Sequence, residues 1–345
     1  IIVAITTRSG VFNWVANELL KFTKGHPVRV LFTLGLFTAV ASAFLDNVTT
    51  VILIMPITFV IAHKLEINPI PFLITEIFAS NIGGTATLIG DPPNIIIGCA
   101  GGLSFMDFIK ELTPIVVIIL LSVLVVLTLI FRKHLVASED KMKEIAEIDN
   151  SHTITDKNLM IRSVTVLALV ILGFMTHDIT HIETCVCAML GASFLLIFEK
   201  PTEILRDVEW NTIFFFIGLF IIIGGLEASG GIRLMAQWIL NVTQGSKAAA
   251  SMLILWASGF ISGIIDNIPY TATMAPMIVE MEKVMGRTYA EPLWWALSLG
   301  ACLGGNLTII GAAANVIVSE NANKEGHPIS FVGFLKYGVI TVSIS

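Results

Sequence analysis

Charge is scarce in this chain. Only 13% of its 345 residues are Asp, Glu, Lys or Arg, where soluble domains run near a quarter. A solvated globular surface is therefore not available. No basic cluster marks a nucleic acid partner. No Gly-x4-Gly-Lys-Ser/Thr cradle for phosphates occurs, so the chain encodes no ATP motor. Only four cysteines are present, Cys99, Cys185, Cys187 and Cys302. All lie in apolar stretches and read as small hydrophobes rather than a disulfide frame. Cys185 and Cys187 sit two apart and do not share a helix face. His177, Asp178 and His181 flank a short loop with too few ligands for a metal, and no metal site or cofactor is expected. Ile1 is not a start methionine, and no charged region of a signal peptide precedes it. The apolar run 331–345 ends abruptly, so the chain reads as a fragment.

What the chain has is apolar residues, 55% of the total, and two diverged copies of one pattern. Asp46-Asn47 returns in the second half as Asp266-Asn267. Ser9-Gly10, Ser42 and Pro56 recur at the same spacing as Ser229-Gly230, Ser262 and Pro276. Gly83, Gly84, Thr87, Gly90 and Asn94 recur at a spacing longer by a single position, as Gly304, Gly305, Thr308, Gly311 and Asn315. Paired polar breaks in corresponding apolar halves point to the binding site of a secondary transporter.

A crossing helix needs about 20 apolar residues. Pro114–Phe131, Leu159–Met175, Ile182–Phe198 and Trp210–Gly225 are candidates. Val11–Lys24 and Gly230–Val242 read as amphipathic helices along the interface. Val28–Leu45 and Val51–His63 flank the first Asp-Asn. The second of these arms spans about 20 Å at 1.5 Å per residue, short of the hydrocarbon core of roughly 30 Å. This predicts a re-entrant hairpin with residues 46–50 at its tip. Lys247–Ile265 and Thr271–Val284 repeat it around residues 266–269. Ile70–Ala100 and Glu291–Asn323 read as helices broken at their Gly-rich middles. If hairpins return to their own side and broken helices cross, Lys110, Arg233, Lys247, Lys283 and Arg287 fall on one face. The rest of the 20 basic residues mark the cytoplasmic face. The fold class predicted is an all-α polytopic membrane protein, with an inverted-topology repeat, two re-entrant helical hairpins and two broken transmembrane helices. Residues 1–131 form the first repeat, 132–158 a cytoplasmic linker and 159–345 the second repeat.

The candidate ion- or substrate-binding residues follow from the breaks. Unwound carbonyls and helix C-termini attract cations, and helix N-termini attract anions. Asp46 and Asp266 add carboxylates, which are costly in a membrane and functional by default, although a lone Asp also serves as a helix cap. Asn47, Thr49, Thr50, Thr85, Thr87, Asn94, Asn267, Thr271, Asn306, Thr308 and Asn315 add neutral donors and acceptors. Gly84, Gly90 and Gly311 permit the breaks. Asp91 faces Ala312 in the second copy, so it stabilises the Pro92-Pro93 break or makes the halves unequal. Glu76 and Glu280 are read near helix ends.

Asp46-Asn47-Val48-Thr49-Thr50-Val51, with Gly83-Gly84-Thr85-Ala86-Thr87-Leu88-Ile89-Gly90-Asp91-Pro92-Pro93-Asn94, resembles the ion transporter superfamily. Within it the chain is similar to the arsenite-pump and sodium–proton antiporter family, a citrate-transporter-like group, on the branch of the pink-eyed-dilution P protein. Asp266-Asn267-Ile268-Pro269 and Gly305-Asn306-Leu307-Thr308-Ile309-Ile310-Gly311 continue the likeness. The resemblance implies a scaffold part and a transport part that moves like an elevator. Related dicarboxylate–sodium symporters carry Ser where Asp46 and Asp266 stand, which disfavours a multiply anionic substrate here. Arsenite pumps carry Asn-Asp at the tip and lack Asp-Pro-Pro, so the chain departs from them too.

The expected function is secondary active transport of a small inorganic ion, as arsenite-type efflux or sodium/proton antiport. Sodium or a proton is the coupling ion. Sodium- or proton-coupled symport of citrate or a dicarboxylate is the alternative, and an ion channel the alternative of another class. The expected partners are the lipid bilayer, a small inorganic ion or small anion, and a second copy in a homodimer. Nucleic acid is not expected, and a prokaryotic host would place the protein in its plasma (inner) membrane. An intramembrane aspartyl protease is disfavoured, because Leu88-Ile89-Gly90 before Asp91 breaks the Gly-x-Gly-Asp pattern.

Overall fold

The computed structural model describes residues 1–146, 153–207 and 210–345. Among them every regular element is helical. The chain begins with α1 (Ile2–Arg8), α2 (Val11–Thr23), α3 (Pro27–Phe44), α4 (Asn47–Leu65), α5 (Ile70–Thr85), α6 (Pro92–Gly101), α7 (Phe105–Glu111) and α8 (Thr113–Phe131). Next is α9 (Glu139–Ala146); within the segment expected to be a linker, residues 147–152 lie outside the described ones. Then come α10 (Lys157–Met175), α11 (His177–Thr180), α12 (Thr184–Leu196), α13 (Pro201–Ile204), α14 (Trp210–Ala228), α15 (Gly231–Val242), α16 (Lys247–Ser262), α17 (Asn267–Met285), α18 (Arg287–Gly304), α19 (Ala313–Lys324) and α20 (Phe331–Ile344).

Local chemistry sets the boundaries. Asp46 caps α4 by accepting from Thr49 N at 2.9 Å, and Asp266 caps α17 by accepting from Ile268 N at 2.9 Å. Pro92 and Pro93 open α6, where a missing N–H costs nothing. The double proline thus starts a helix rather than only ending one. Gly10 and Gly230 adopt φ of 82° and 81°, and Gly25 and Gly245 adopt 68° and 69°. These left-handed turns favour glycine, and they recur at the spacing of the sequence pattern.

Two expectations change. The second hairpin arm is longer than predicted, because α4 starts at Asn47 and has 19 residues. At about 28 Å its length alone does not set it apart from a crossing helix. The predicted tip over residues 46–50 contracts because the Asp46 cap lets the helix begin at once. Likewise α17 begins at Asn267, with Pro269 in its first turn. Conversely, α12 has 13 residues, fewer than predicted for Ile182–Phe198. Helices α3, α4, α8 and α10 are long and apolar enough to cross a membrane, and α14 with α15 forms a fifth candidate bent by 68°.

Helix α3 packs along α5, and α16 along α18. Glycine allows both approaches: a Cβ on Gly83 would lie 2.1 Å from Ala39 O, and one on Gly304 2.5 Å from Gly259 O. Small residues of this kind let apolar helices approach closely. The halves then cross over, with α6 packing on α17 and α19 on α4.

Candidate functional site

The crossing brings the two broken helices and the two Asp-Asn corners together. Backbone carbonyls of each break are gripped by an asparagine. Asn94 Nδ2 donates to Thr87 O at 2.8 Å and Thr85 O at 3.1 Å, and reaches Gly84 O, the counterpart of Gly305 O, at 3.5 Å. Asn315 Nδ2 donates to Gly305 O at 2.8 Å and Thr308 O at 2.9 Å. Thr87 and Thr308 pin their breaks to the preceding corner, donating to Ala43 O at 2.5 Å and Gly263 O at 2.6 Å. Ser42 and Ser262 donate to Ser80 O at 2.7 Å and Ala301 O at 2.6 Å. The same hydrogen bonds therefore recur at the spacing of the sequence repeat.

Each asparagine is completed from the other half. Asn94 Oδ1 accepts from Ser298 Oγ at 2.6 Å and from Cys302 Sγ at 3.5 Å. Asn315 Oδ1 accepts from Asn81 Nδ2 at 2.8 Å. Asn81 also donates to Asn306 Oδ1 at 3.0 Å and accepts from Asn47 Nδ2 at 3.1 Å. Because Asn315 Nδ2 holds two backbone carbonyls, the orientation of the whole chain of amides is fixed from that end. Asn306 Nδ2 is then left buried without a partner, at a cost of about 1–3 kcal/mol if nothing else fills it.

Asp91 stands where the two corners meet. Its carboxylate accepts from Asn47 Nδ2 at 3.2 Å and from Asn267 Nδ2 at 3.5 Å, and it is fully buried. It begins α6 but makes no capping hydrogen bond, so its side chain does not serve as the cap of the proline break. Asp46 and Asp266 lie within electrostatic range of it. Both line one cavity of about 1440 Å³, which Phe215, Phe216 and Phe220 of α14 also line. Arg206 is the one basic residue among the described residues lining it.

Other candidates fall elsewhere. Thr49 Oγ1 is tied to the Asp46 carboxylate. Thr85 Oγ1 donates to Asn81 O at 2.8 Å. Thr50 is buried beside Phe12, Phe37 and Leu53 in a small apolar recess, its hydroxyl without a partner. Thr271 is buried one turn after Asn267, also without a partner. Gly84, Gly90 and Gly311 act by contact: a Cβ on Gly84 would lie 2.5 Å from Gly90 O, and one on Gly311 2.6 Å from Gly305 O. Glu76 is not near a helix end but inside α5, buried against Thr58. Glu280 is surface-facing, paired with Lys283 and Arg233. Among the described residues no group of three His, Cys, Asp or Glu is placed to hold a metal.

Asn81, Ser298 and Cys302 were not among the sequence candidates. The available signal was a buried-type amide inside the apolar run Ile70–Ala100. It was weak because its counterpart is Cys302, which reads as a hydrophobe.

Several helices of crossing length around a buried polar cluster define a multi-pass integral membrane protein of the transporter class. The family model described as citrate transporter matches residues 1–300, and the chain belongs to that family. It is 44% identical over 348 residues to an uncharacterized transporter of Mycobacterium tuberculosis H37Rv, covering 100% of this chain and 81% of the relative. A 46 kDa membrane protein of Mycobacterium leprae is 42% identical over the same shares. The P protein of Mus musculus is 32% identical over 421 residues, covering 98% of this chain and 50% of the P protein.

Proposed function

We propose that this protein is a secondary active transporter of a small inorganic ion, coupled to sodium or protons. The observation that carries the reading is the meeting of Asn47 and Asn267 on Asp91, with Asp46 and Asp266 beside it. Three carboxylates share this region, and among the described residues no basic side chain hydrogen-bonds to any of them. Uncompensated buried negative charge is costly, so the working state holds a cation or protons there. Asp46, Asp91 and Asp266 bind the coupling ion, and the amides and carbonyls at the breaks bind the cargo. The recurring hydrogen bonds support an inverted-topology repeat. Two corners on one cavity support re-entrant hairpins that move with the broken helices as an elevator, while α10, α12 and α14 form the scaffold of a homodimer in the plasma membrane.

Purified protein in liposomes tests this with radiolabelled sodium, arsenite and citrate under imposed pH and sodium gradients. Coupled flux of an inorganic ion is expected, lost in Asp46→Asn and in Asp266→Asn. Wild-type flux in both variants overturns the assignment. Citrate symport is the second reading, favoured by the description of the family and by Arg206 on the cavity wall. Uptake of citrate alone in the same panel selects it.

A further inference from the structure

Glu76 lies outside the site described above. It is 1% exposed, and among the described residues its carboxyl accepts a hydrogen bond only from Thr58 Oγ1 of α4. Its Oε2 is buried with no partner. A buried carboxyl oxygen without a partner is an exception that calls for an explanation. Thr58 suits either protonation state, since a hydroxyl donates to a carboxylate and accepts from an acid. One turn further along the same face of α4 is Ala62, which lines a cavity of about 430 Å³. That cavity also carries His63, Glu66, Glu325 and His327. It sits at the ends of α4 and α19, beside Lys64 and Lys324.

None of this recurs in the second copy. Thr58 and Glu76 correspond to Ile278 and Leu297, and His63, Glu66, Glu325 and His327 to Lys283, Gly286, Ser104 and Met106. The corners and breaks are duplicated, but this arrangement is one-sided. We propose that Glu76 is a proton-binding site, loaded from one face of the membrane through the vestibule of His63, Glu66, Glu325 and His327. A proton passes from hydronium or an imidazolium in the vestibule to the Glu76 carboxylate, at the free Oε2. Water or neutral imidazole is left behind.

Charged and titratable groups on the helices packed against α5 are Arg29 on α3, His63 and Lys64 on α4, Arg287, Tyr289, Glu291 and Cys302 on α18, and Glu320 and Lys324 on α19. None is bonded to Glu76. In the vestibule, Glu66 accepts from Lys141 Nζ at 2.9 Å, and that hydrogen bond holds its carboxyl below the usual range. His63 and His327 place two imidazoles in the same vestibule.

The proposal rests on ion-coupled transport, but its test does not. Infrared difference spectra of the purified chain in lipid nanodiscs, recorded after pH jumps, read buried carboxylic acids directly. In a chain carrying Asp46→Asn, Asp91→Asn and Asp266→Asn, which lacks the carboxyls of the site, a pH-dependent carboxylic C=O band is expected to remain. In that background it is lost in Glu76→Gln, shifted in Glu76→Asp and in Thr58→Val, and slower to appear in His63→Ala/His327→Ala. A band there that survives Glu76→Gln, or no pH-dependent band there at all, overturns the proposal. In liposomes, uptake of radiolabelled sodium driven by a pH gradient is expected to be lost in Glu76→Gln; uptake as in wild type overturns the coupling role. A titrating Glu76 in a chain that moves none of sodium, arsenite and citrate sustains the proton site and overturns the transport reading instead.

Discussion

Asn81 is the position where one substitution tests the architecture of the site most sharply. Its amide accepts from Asn47 and donates to Asn306 and Asn315 at 3.0 and 2.8 Å. Asn81→Ala leaves the Oδ1 atoms of Asn306 and Asn315 buried without donors. At about 1–3 kcal/mol each, the loss is about 2–6 kcal/mol of stability. Asn47 keeps its bond to Asp91 and adds little. Asn81→Asp separates the two neighbours. The Asn306 amide turns over freely, because its Nδ2 has no partner, and then donates to the new carboxylate. Asn315 cannot turn without releasing Gly305 O and Thr308 O, so its oxygen faces a second acceptor. The Asp variant is therefore expected to be less stable at neutral pH than at low pH, where its protonated carboxyl donates to Asn315. The direction follows because the donor that Asn315 requires is present only in the acid form. Unfolding of the purified variants in mixed micelles, followed by tryptophan fluorescence at several pH values, measures this. Wild-type stability of Asn81→Ala, or a pH-independent Asn81→Asp, refutes the assigned orientation of the amide chain.

Asp46→Asn and Asp266→Asn are expected to stay folded, since Asn caps a helix as well as Asp, while losing coupled flux. Circular dichroism melts beside liposome transport check both. Gly83→Ala and Gly304→Ala place a methyl against backbone oxygens at 2.1 and 2.5 Å and are expected to cost about 1–3 kcal/mol or more. Gly224→Ala, with nothing within 4 Å, is expected to be neutral or slightly stabilising; thermal unfolding in detergent ranks the three. Cys99, exposed on the cavity wall, is expected to react with a water-soluble maleimide, and buried Cys302 is not. Mass spectrometry of the labelled peptides reads this directly.

Much of the fold was legible because local rules wrote it. The Asp-Asn corners, the glycine pairs and the double proline located the ends of α3, α5, α6, α16 and α18 within a few residues. Periodicity misjudged α4, since it counted Asn47 to Thr50 as a polar tip. The Asp46 cap is a contact with the first turn of the helix, and it turns those same residues into that turn. For the site, the duplicated residues stood out, but their grouping did not. Thr50 shares a motif with Asn47 yet points into a separate apolar recess. Asn81 and Cys302 occupy corresponding positions with different chemistry, so comparing the copies hid them.

The order of residues alone determined that this chain lives in an apolar medium and carries one polar pattern twice. Caps, left-handed glycines and helix-opening prolines act over a few residues, and composition needs no fold. Only the packed structure decided that α6 lies on α17 and α19 on α4. That crossing joins Asn81 to Asn306 and Asn315, and both corners to Asp91. Contacts between residues so far apart depend on how closely glycine-faced helices approach, and no pattern along the chain records that distance.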